Sequence, residues 1–430
     1  MYSSLLERGI FLSKEYRDEQ KRVLEGQIRK VLKDAPSYVK DFYDHMHNGS
    51  REITTQAAYI RDIVNFIQYI IDTNPLFNET KVKDFPVEVF DQLTVKDLNE
   101  YRFNLQSVKH LAASSSKKKF AAISAFYKFA NAEGYVSTNP MLNFELPATN
   151  KKRIIKLDAG FSKQLLDGIL RNDMYLADTL HGKAPLPIPE RVFLKREPLV
   201  LRNYAICSLF LGAGLRVSEL VGLDLSDINF KAGTLNIIQK GGDEVQVFFG
   251  DEVAIALKTY IDGSFPPYEL LEKYDNSEEL LNWCSDHLYY VGFRKLLEED
   301  FPDKEKQFYD DIELFCSSMR RVGRPGLKPK RNCNAVFISS RGSRMTVRMV
   351  EIMIKEMVQT YLPEYDDKEI FSPHKLRATC ATRILSQTGD IHLASTQLNH
   401  KGIGVTAAFY AELQKEKQRD KIRNLDLHDW

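Results

Sequence analysis

The sequence predicts a mainly α-helical chain carrying one small antiparallel β-sheet, an α+β protein with two principal domains. Three observations lead there. Apolar residues recur at three- and four-residue steps through residues 37–149, as in helices that bury one face. The run "SDINFKAGTLNIIQKGGDEVQVFFG" breaks that period and reads as short strands between glycine-bearing turns. Between these regions, "LPATNKKRIIKL" (146–157) is polar and basic with one proline, the composition of a linker.

Residues 1–36 form an N-terminal helical extension, "KEYRDEQKRVLEGQIRKVLKD", stopped by Ala35-Pro36. Residues 37–149 read as a bundle of short helices. "TTQAAYIRDIVNFIQYIIDTN" spaces Ile60, Ile63, Phe66 and Ile67 along one face. Thr94 stands as a cap before "VKDLNEYRFNLQ", and "SSSKKKFAAISAFYKFANAEGYVSTNP" starts at serines and stops at Gly134. Residues 150–430 form the second domain, which opens with helices. Strands follow at about 226–230, 234–239 and 244–249, with turns at Lys231-Ala232-Gly233 and Gly241-Gly242. The text then returns to helix apart from "NAVFISSRG". An acidic insertion occupies about 265–317, and a short tail, 414–430, carries Leu425, Leu427 and Trp430.

A chain of 430 residues exceeds one ordinary core. The N-terminus interrupts its apolar run with charge, unlike a signal peptide, and no run reaches the roughly 18 to 20 apolar residues a membrane helix needs. The five cysteines are scattered without a CxxC pair, which fits reduced thiols in the cytoplasm and not disulfides or a zinc site. The formal net charge is only +1, yet its distribution is uneven. Residues 107–130 carry Lys109, Lys117, Lys118, Lys119 and Lys128 with no acid, and residues 318–332 carry six more cations. Basic faces balanced by an acidic insertion account for a near-zero total. Solvated faces that bind nothing are the other reading of either cluster.

The chemistry is concentrated near two stretches. In "LFLGAGLRVSELVGLDLSDINF", Arg216 follows Gly212 and Gly214 in apolar surroundings, where a guanidinium needs a carboxylate such as Glu219 or Asp224, or an anionic ligand. In "FSPHKLRATCATRIL", His374 and Arg377 share a helical face; "LNHKGIGVTAAFYAEL" then supplies His400 and Tyr410. Two arginines and two histidines without an obvious set of carboxylates suit a phosphate group. A phenol of pKa near 10 needs such a dense positive site to attack as a phenolate. Tyr361 and Tyr365 are rival phenols, but "QTYLPEYDDKEIF" reads as an acid-flanked loop that would repel phosphate.

Taken in order, "GLRVSEL", a hairpin lysine, "HKLR", "LNH" and a tyrosine near the C-terminus resemble the tyrosine recombinase (phage integrase) family. The resemblance covers about residues 200–415 and, more faintly, the helical domain before them. It implies a core-binding domain and a catalytic domain closing as a C-shaped clamp on double-stranded DNA. Arg216 and Arg377 would hold the non-bridging oxygens of the scissile phosphate, with His374 as proton acceptor and His400 as a hydrogen-bond partner. Tyr410 would be the nucleophile, Glu219 a support for the arginines, and Lys240 the general acid for the leaving 5′-oxygen. Lys231, in the preceding turn, is the alternative acid, since Asp243 and Glu244 flank the Lys240 turn. Lys109, Lys117, Lys118, Lys119 and Lys128 would face DNA.

The covalent phosphotyrosyl link conserves the phosphodiester energy, so the expectation is no cofactor and no metal. The resemblance further implies a homotetramer on two recombination sites, passing through a Holliday junction and held by tail exchange, in the cytoplasm beside the nucleoid. The acidic insertion would face solvent or an accessory protein. A tyrosine-nucleophile topoisomerase and a non-catalytic DNA-binding protein on the same fold are the competing expectations.

Overall fold

The computed structural model describes residues 3–148, 159–171, 190–239, 242–262, 327, 329–362, 372–399, 407 and 411. Lys240, His400, Tyr365, Tyr410, the acidic insertion and the C-terminal tail lie outside the described residues, apart from the isolated Ala407 and Ala411. The architecture is mainly helical with one three-stranded antiparallel sheet. Two compact units divide the chain: Lys14–Arg153, and Ile154–Trp430 counted with Met1–Ser13.

The first unit contains α1 (Ser3–Lys33) from Lys14 onward, α2 (Ser37–Asn48), α3 (Ile53–Thr73), α4 (Val89–Gln92), α5 (Val95–Phe103) and α6 (Ala113–Ala132). The end of α1 is more than an appendage, because Ile28 is buried and Val31 and Leu32 pack on the bundle core. Ile60, Ile63, Phe66 and Ile67 of α3 are all buried, as their spacing requires. The core is largely aromatic: Phe90 meets Phe126 with ring centroids 4.9 Å apart, and Phe66 meets Tyr101 at 4.7 Å. Buried phenols find backbone acceptors, with the Tyr38 hydroxyl donating to the Phe85 carbonyl at 3.1 Å and that of Tyr127 to Phe90 at 2.9 Å. Burial raises both phenol pKa values above the ordinary tyrosine range. Thr94 caps α5 as the sequence predicts, its N–H and hydroxyl donating to Asp97 Oδ2 at 2.7 and 2.6 Å. After α5 the chain makes a π-helical turn, Asn104–Val108, and α6 then ends at Gly134, whose φ of +75° suits glycine.

The second unit is built around α8 (Glu190–Gly212), against which α7 (Ala159–Arg171), α10 (Asp251–Asp262) and α12 (Pro373–Thr388) pack. The remaining α-helices among the described residues are α9 (Val217–Gly222), α11 (Val347–Tyr361) and α13 (Ile391–Gln397). Ala205, Ile206, Leu209 and Phe210 fill the centre of the core. The strands are β1 (Ile228–Asn229), β2 (Thr234–Ile238) and β3 (Glu244–Phe248), ordered β1-β2-β3. Each is shorter than the sequence suggests, because pairing stops where the turns begin. The β2–β3 register runs from Thr234 opposite Phe248 to Ile238 opposite Glu244. Gly233 (φ +62°) and Gly242 (φ +100°) occupy the two turns, where a side chain would strain the backbone.

One ion pair fixes the end of α9 to the segment around residues 335–345. Arg344 Nη2 lies 2.5 Å from Oδ1 of the fully buried Asp224, and Arg344 Nη1 donates to the carbonyls of Val221 and Leu223. Arg344 stands inside "VFISSRGSRMT", where nothing in the sequence points to that partner. Among the described residues no helix is long and apolar enough to cross a membrane.

Candidate active site

The site is assembled by three chain turns that meet beside α8. The first is the α8–α9 turn. Gly214 has φ +71°, and a Cβ there would fall 2.5 Å from Leu398 Cδ2 and 3.1 Å from Cys380 Sγ. Only glycine fits both the conformation and the space. Arg216 follows as the N-cap of α9, and Glu219 folds back on it in the manner of a capping box. The Arg216 backbone N–H donates to Glu219 Oε2 at 2.7 Å and its Nη1 to Oε1 at 2.6 Å.

The second contributor is the start of α12, where Pro373 sits in the first turn. His374 stands on the exposed side of the helix, and Arg377, one turn on, is only 4% exposed. The third is the end of α13, where Leu398 and Asn399 present carbonyls. Asn399 has φ +47°, a left-handed conformation that asparagine tolerates, and its carbonyl accepts Arg216 Nη2 at 3.0 Å. Arg377 donates to the carbonyls of Gly214 and Leu398 and lies 3.6 Å from Glu219 Oε2.

The structure therefore joins the Arg216, Glu219 and Arg377 that the sequence singles out. The Glu219 carboxylate, 2% exposed, lies between the two guanidiniums. Two positive charges against one negative leave the cluster net cationic. Burial and the neighbouring Arg216 charge pull the Arg377 pKa down to about 10, with Glu219 opposing; the group stays protonated at neutral pH. Partial burial, then the charges of Arg377, Lys375 and Arg216, hold the His374 pKa below the ordinary histidine value, which favours a neutral, proton-accepting imidazole. Arg216 keeps a third of its side chain exposed, so the cluster is open to solvent on that side.

The carbonyls of Gly214, Leu398 and Asn399 are the parts of this cradle that sequence reasoning missed. The glycine in "GAGLR" and the asparagine in "LNH" were the available signals, since both residue types tolerate positive φ. Tyr361 departs from expectation too: it is the last residue of α11 and not part of a loop. Its ring stands where a Cβ on Gly168 would come within 2.8 Å, so it is packed against α7. Of the two lysines offered as alternative acids, only Lys231 is among the described residues. Lys231 is exposed in the β1–β2 turn, whereas Lys240 belongs in sequence to the β2–β3 turn bracketed by Gln239 and Gly242.

On the first unit, Lys109, Lys117, Lys118 and Lys128 are exposed, with no carboxylate partner among the described residues. Lys117 and Lys128 stand eleven residues apart on α6, about three turns, and so share a face. Lys119 differs, because its Nζ lies 2.5 Å from Asp62 Oδ1 and braces α6 against α3.

Residues 191–417 match the sequence profile described as the phage integrase family, a span that includes all six proposed catalytic residues. The chain is 23% identical over 429 residues to Tyrosine recombinase XerS of Streptococcus pneumoniae (strain CGSP14), with 94% of this chain and 100% of that protein covered. In fold it is similar to the Tn1549 transposon integrase (aa 82-397) in complex with circular intermediate DNA, with a TM-score of 0.51 and 15% identity, covering 87% of this chain and 95% of that one. A lambda integrase(75-356) dimer bound to a COC′ core site gives a TM-score of 0.50 at 14% identity, covering 87% and 94%.

Proposed function

The chain belongs to the phage integrase family and is a tyrosine-type recombinase, and we propose that it cuts and rejoins DNA at specific sites through a 3′-phosphotyrosyl intermediate. The observation that carries this reading is the pair Arg216 and Arg377 around a single carboxylate, a net cationic cluster beside a neutral-leaning His374. Both guanidiniums are oriented by backbone carbonyls, which fixes their direction before a ligand arrives.

In this reading the Tyr410 oxygen attacks the scissile phosphorus while His374 takes up the phenol proton. The P–O5′ bond breaks, its electron pair stays on the 5′-oxygen, and that oxygen takes a proton from Lys240 or Lys231. Arg216 and Arg377, joined by His400, hold the non-bridging oxygens as charge builds on them. Rejoining is the reverse, with a 5′-hydroxyl attacking the phosphotyrosine, so neither metal nor nucleotide enters the balance.

Lys109, Lys117, Lys118 and Lys128 would contact phosphates on the duplex, and Lys119 would hold α6 in place beneath them. The structures of the transposon and lambda integrases contain DNA, which favours the same partner here. A tetramer on two sites, a Holliday junction, tail exchange through residues 414–430 and an accessory partner for residues 265–317 complete the proposal.

The test is capture on a nicked suicide substrate. The wild-type chain forms a denaturation-resistant adduct that peptide mapping places on Tyr410. Tyr410→Phe binds the same DNA with unchanged affinity and forms no adduct. An adduct mapped to Tyr361 or Tyr365, or one that persists in Tyr410→Phe, refutes the assignment.

A further inference from the structure

Leu398 and Asn399 present successive carbonyls just past the end of α13, and each holds one arginine of the site. The Leu398 carbonyl accepts Arg377, and that of Asn399 accepts Arg216 Nη2 at 3.0 Å. Leu398 is seated by packing: it is 1% exposed, and its Cδ2 fills the space a Cβ on Gly214 would need. Its N–H donates to the Ala394 carbonyl at 3.1 Å, and that of Asn399 to Thr396 at 3.0 Å, so the path of the helix is kept up to Asn399. There the backbone turns left-handed, with φ +47°. Among the described residues the Asn399 side-chain amide has no hydrogen-bond partner. What this residue adds is therefore its backbone conformation.

We propose that Asn399 is a positioning residue for Arg216, acting through its left-handed backbone, which turns its carbonyl toward that guanidinium. This rests on the reaction proposed above. A guanidinium carries five N–H donors in one plane. Glu219 engages Arg216 through Nη1, and one side-chain contact leaves the plane free to pivot. The Asn399 carbonyl engages Nη2 and sets the plane, which leaves the remaining N–H groups for a phosphate. Rotation about φ of residue 399 moves this carbonyl but not that of Leu398, which precedes it. A return from +47° to the right-handed region, about −63°, swings the oxygen by roughly 3 Å and breaks the contact. Arg216 is then released while Arg377 stays held. Asparagine visits the left-handed region through its short polar side chain, and glycine enters it freely. For other L-residues it costs about 1 to 2 kcal/mol, which is about 5- to 30-fold at about 1.36 kcal/mol per tenfold.

Single-turnover adduct formation on the nicked substrate is measured with the full chain and with Asn399→Ala, Asn399→Val and Asn399→Gly, each also in an Arg216→Lys background. Asn399→Ala and Asn399→Val should form the adduct about 5- to 30-fold more slowly than wild type, valine the slower because a β-branched residue tolerates the left-handed region least. Asn399→Gly, which keeps the conformation without the side chain, should recover most of the rate that Asn399→Ala loses. Lysine at position 216 keeps the charge but has no plane to set, so in that background the loss from Asn399→Ala should nearly vanish. Glycine as slow as alanine would assign the effect to the side chain, and an equal loss in both backgrounds would assign it to the fold at large. Unchanged rates in the alanine and valine variants would show that the turn has no role. Each of these results overturns the proposal. A wild-type chain that forms no adduct instead removes the reaction itself, and the positioning role with it.

Discussion

Glu219→Gln isolates the charge that holds the two arginines together while keeping the side-chain shape. In the native chain Glu219 Oε1 accepts Arg216 Nη1 at 2.6 Å, Oε2 accepts the Arg216 N–H at 2.7 Å, and Oε2 lies 3.6 Å from Arg377 Nη1. The amide can keep one of these contacts at most without reorienting, and it carries no charge. At an effective dielectric of about 20, a unit pair at this separation interacts by about 4 to 5 kcal/mol. Arg216 is one-third exposed, so its share is reduced by solvent, whereas Arg377 is 4% exposed and its share is not. Breaking a buried pair by removing one partner costs about 3 to 5 kcal/mol, and with the exposed share discounted we expect about 2 to 4 kcal/mol. For a unit of this size that lowers the melting temperature of the second unit by about 4 to 8 °C.

Calorimetry in a buffer free of polyvalent anions measures the drop. Sulfate then separates charge from packing. Two guanidiniums without their carboxylate form a stronger anion site, so sulfate should restore more of the lost melting temperature in the variant than it adds to wild type, following the logarithm of its concentration over Kd. Adduct formation should fall as well, because Arg216 loses the contacts that direct it. A melting temperature and adduct rate both equal to wild type would refute the view that Glu219 carries the cradle. A drop that sulfate leaves untouched would assign the loss to packing.

The His374 imidazole should titrate with a midpoint below 6.5, read by NMR against His374→Gln, and Arg216→Gln should raise that midpoint by removing one of the nearby positive charges. A depressed folded-state pKa means that this histidine's contribution to stability is present above the unfolded value of 6.5 and is lost as pH falls below it; a midpoint at or above 6.5 contradicts the burial and charge argument. On the first unit, Lys117→Ala with Lys118→Ala should leave the melting temperature unchanged and reduce the salt slope of DNA binding by about 2, at about 0.9 per phosphate contact. Lys119→Ala should instead destabilise that unit by about 1 kcal/mol through the loss of its Asp62 partner, measured by thermal unfolding. A salt slope that moves equally for Lys119→Ala alone would return that lysine to the DNA-facing set.

Local rules were enough for the elements whose signals lie within a few residues. The cap at Thr94, the face of α3 and the glycine turns of the sheet all follow from short-range periodicity or hydrogen bonding, so they were legible in the sequence. The ordered arginine, histidine and tyrosine text was legible for the same reason: each piece is a short string. Contacts between distant stretches were not. Arg344 finds Asp224 across 120 residues, and Gln397 reaches Phe248 across 149. No propensity or spacing encodes such a partner, because it depends on how helices and loops pack. The same holds for Lys119, which looks like its lysine neighbours in sequence and is distinguished only by Asp62 on the facing helix. The sequence alone determined which residue types were available for phosphate chemistry. Tertiary packing decided which carbonyls aim the guanidiniums, and that one carboxylate lies between them, because a buried charge takes its partner from whatever the fold brings within hydrogen-bond reach.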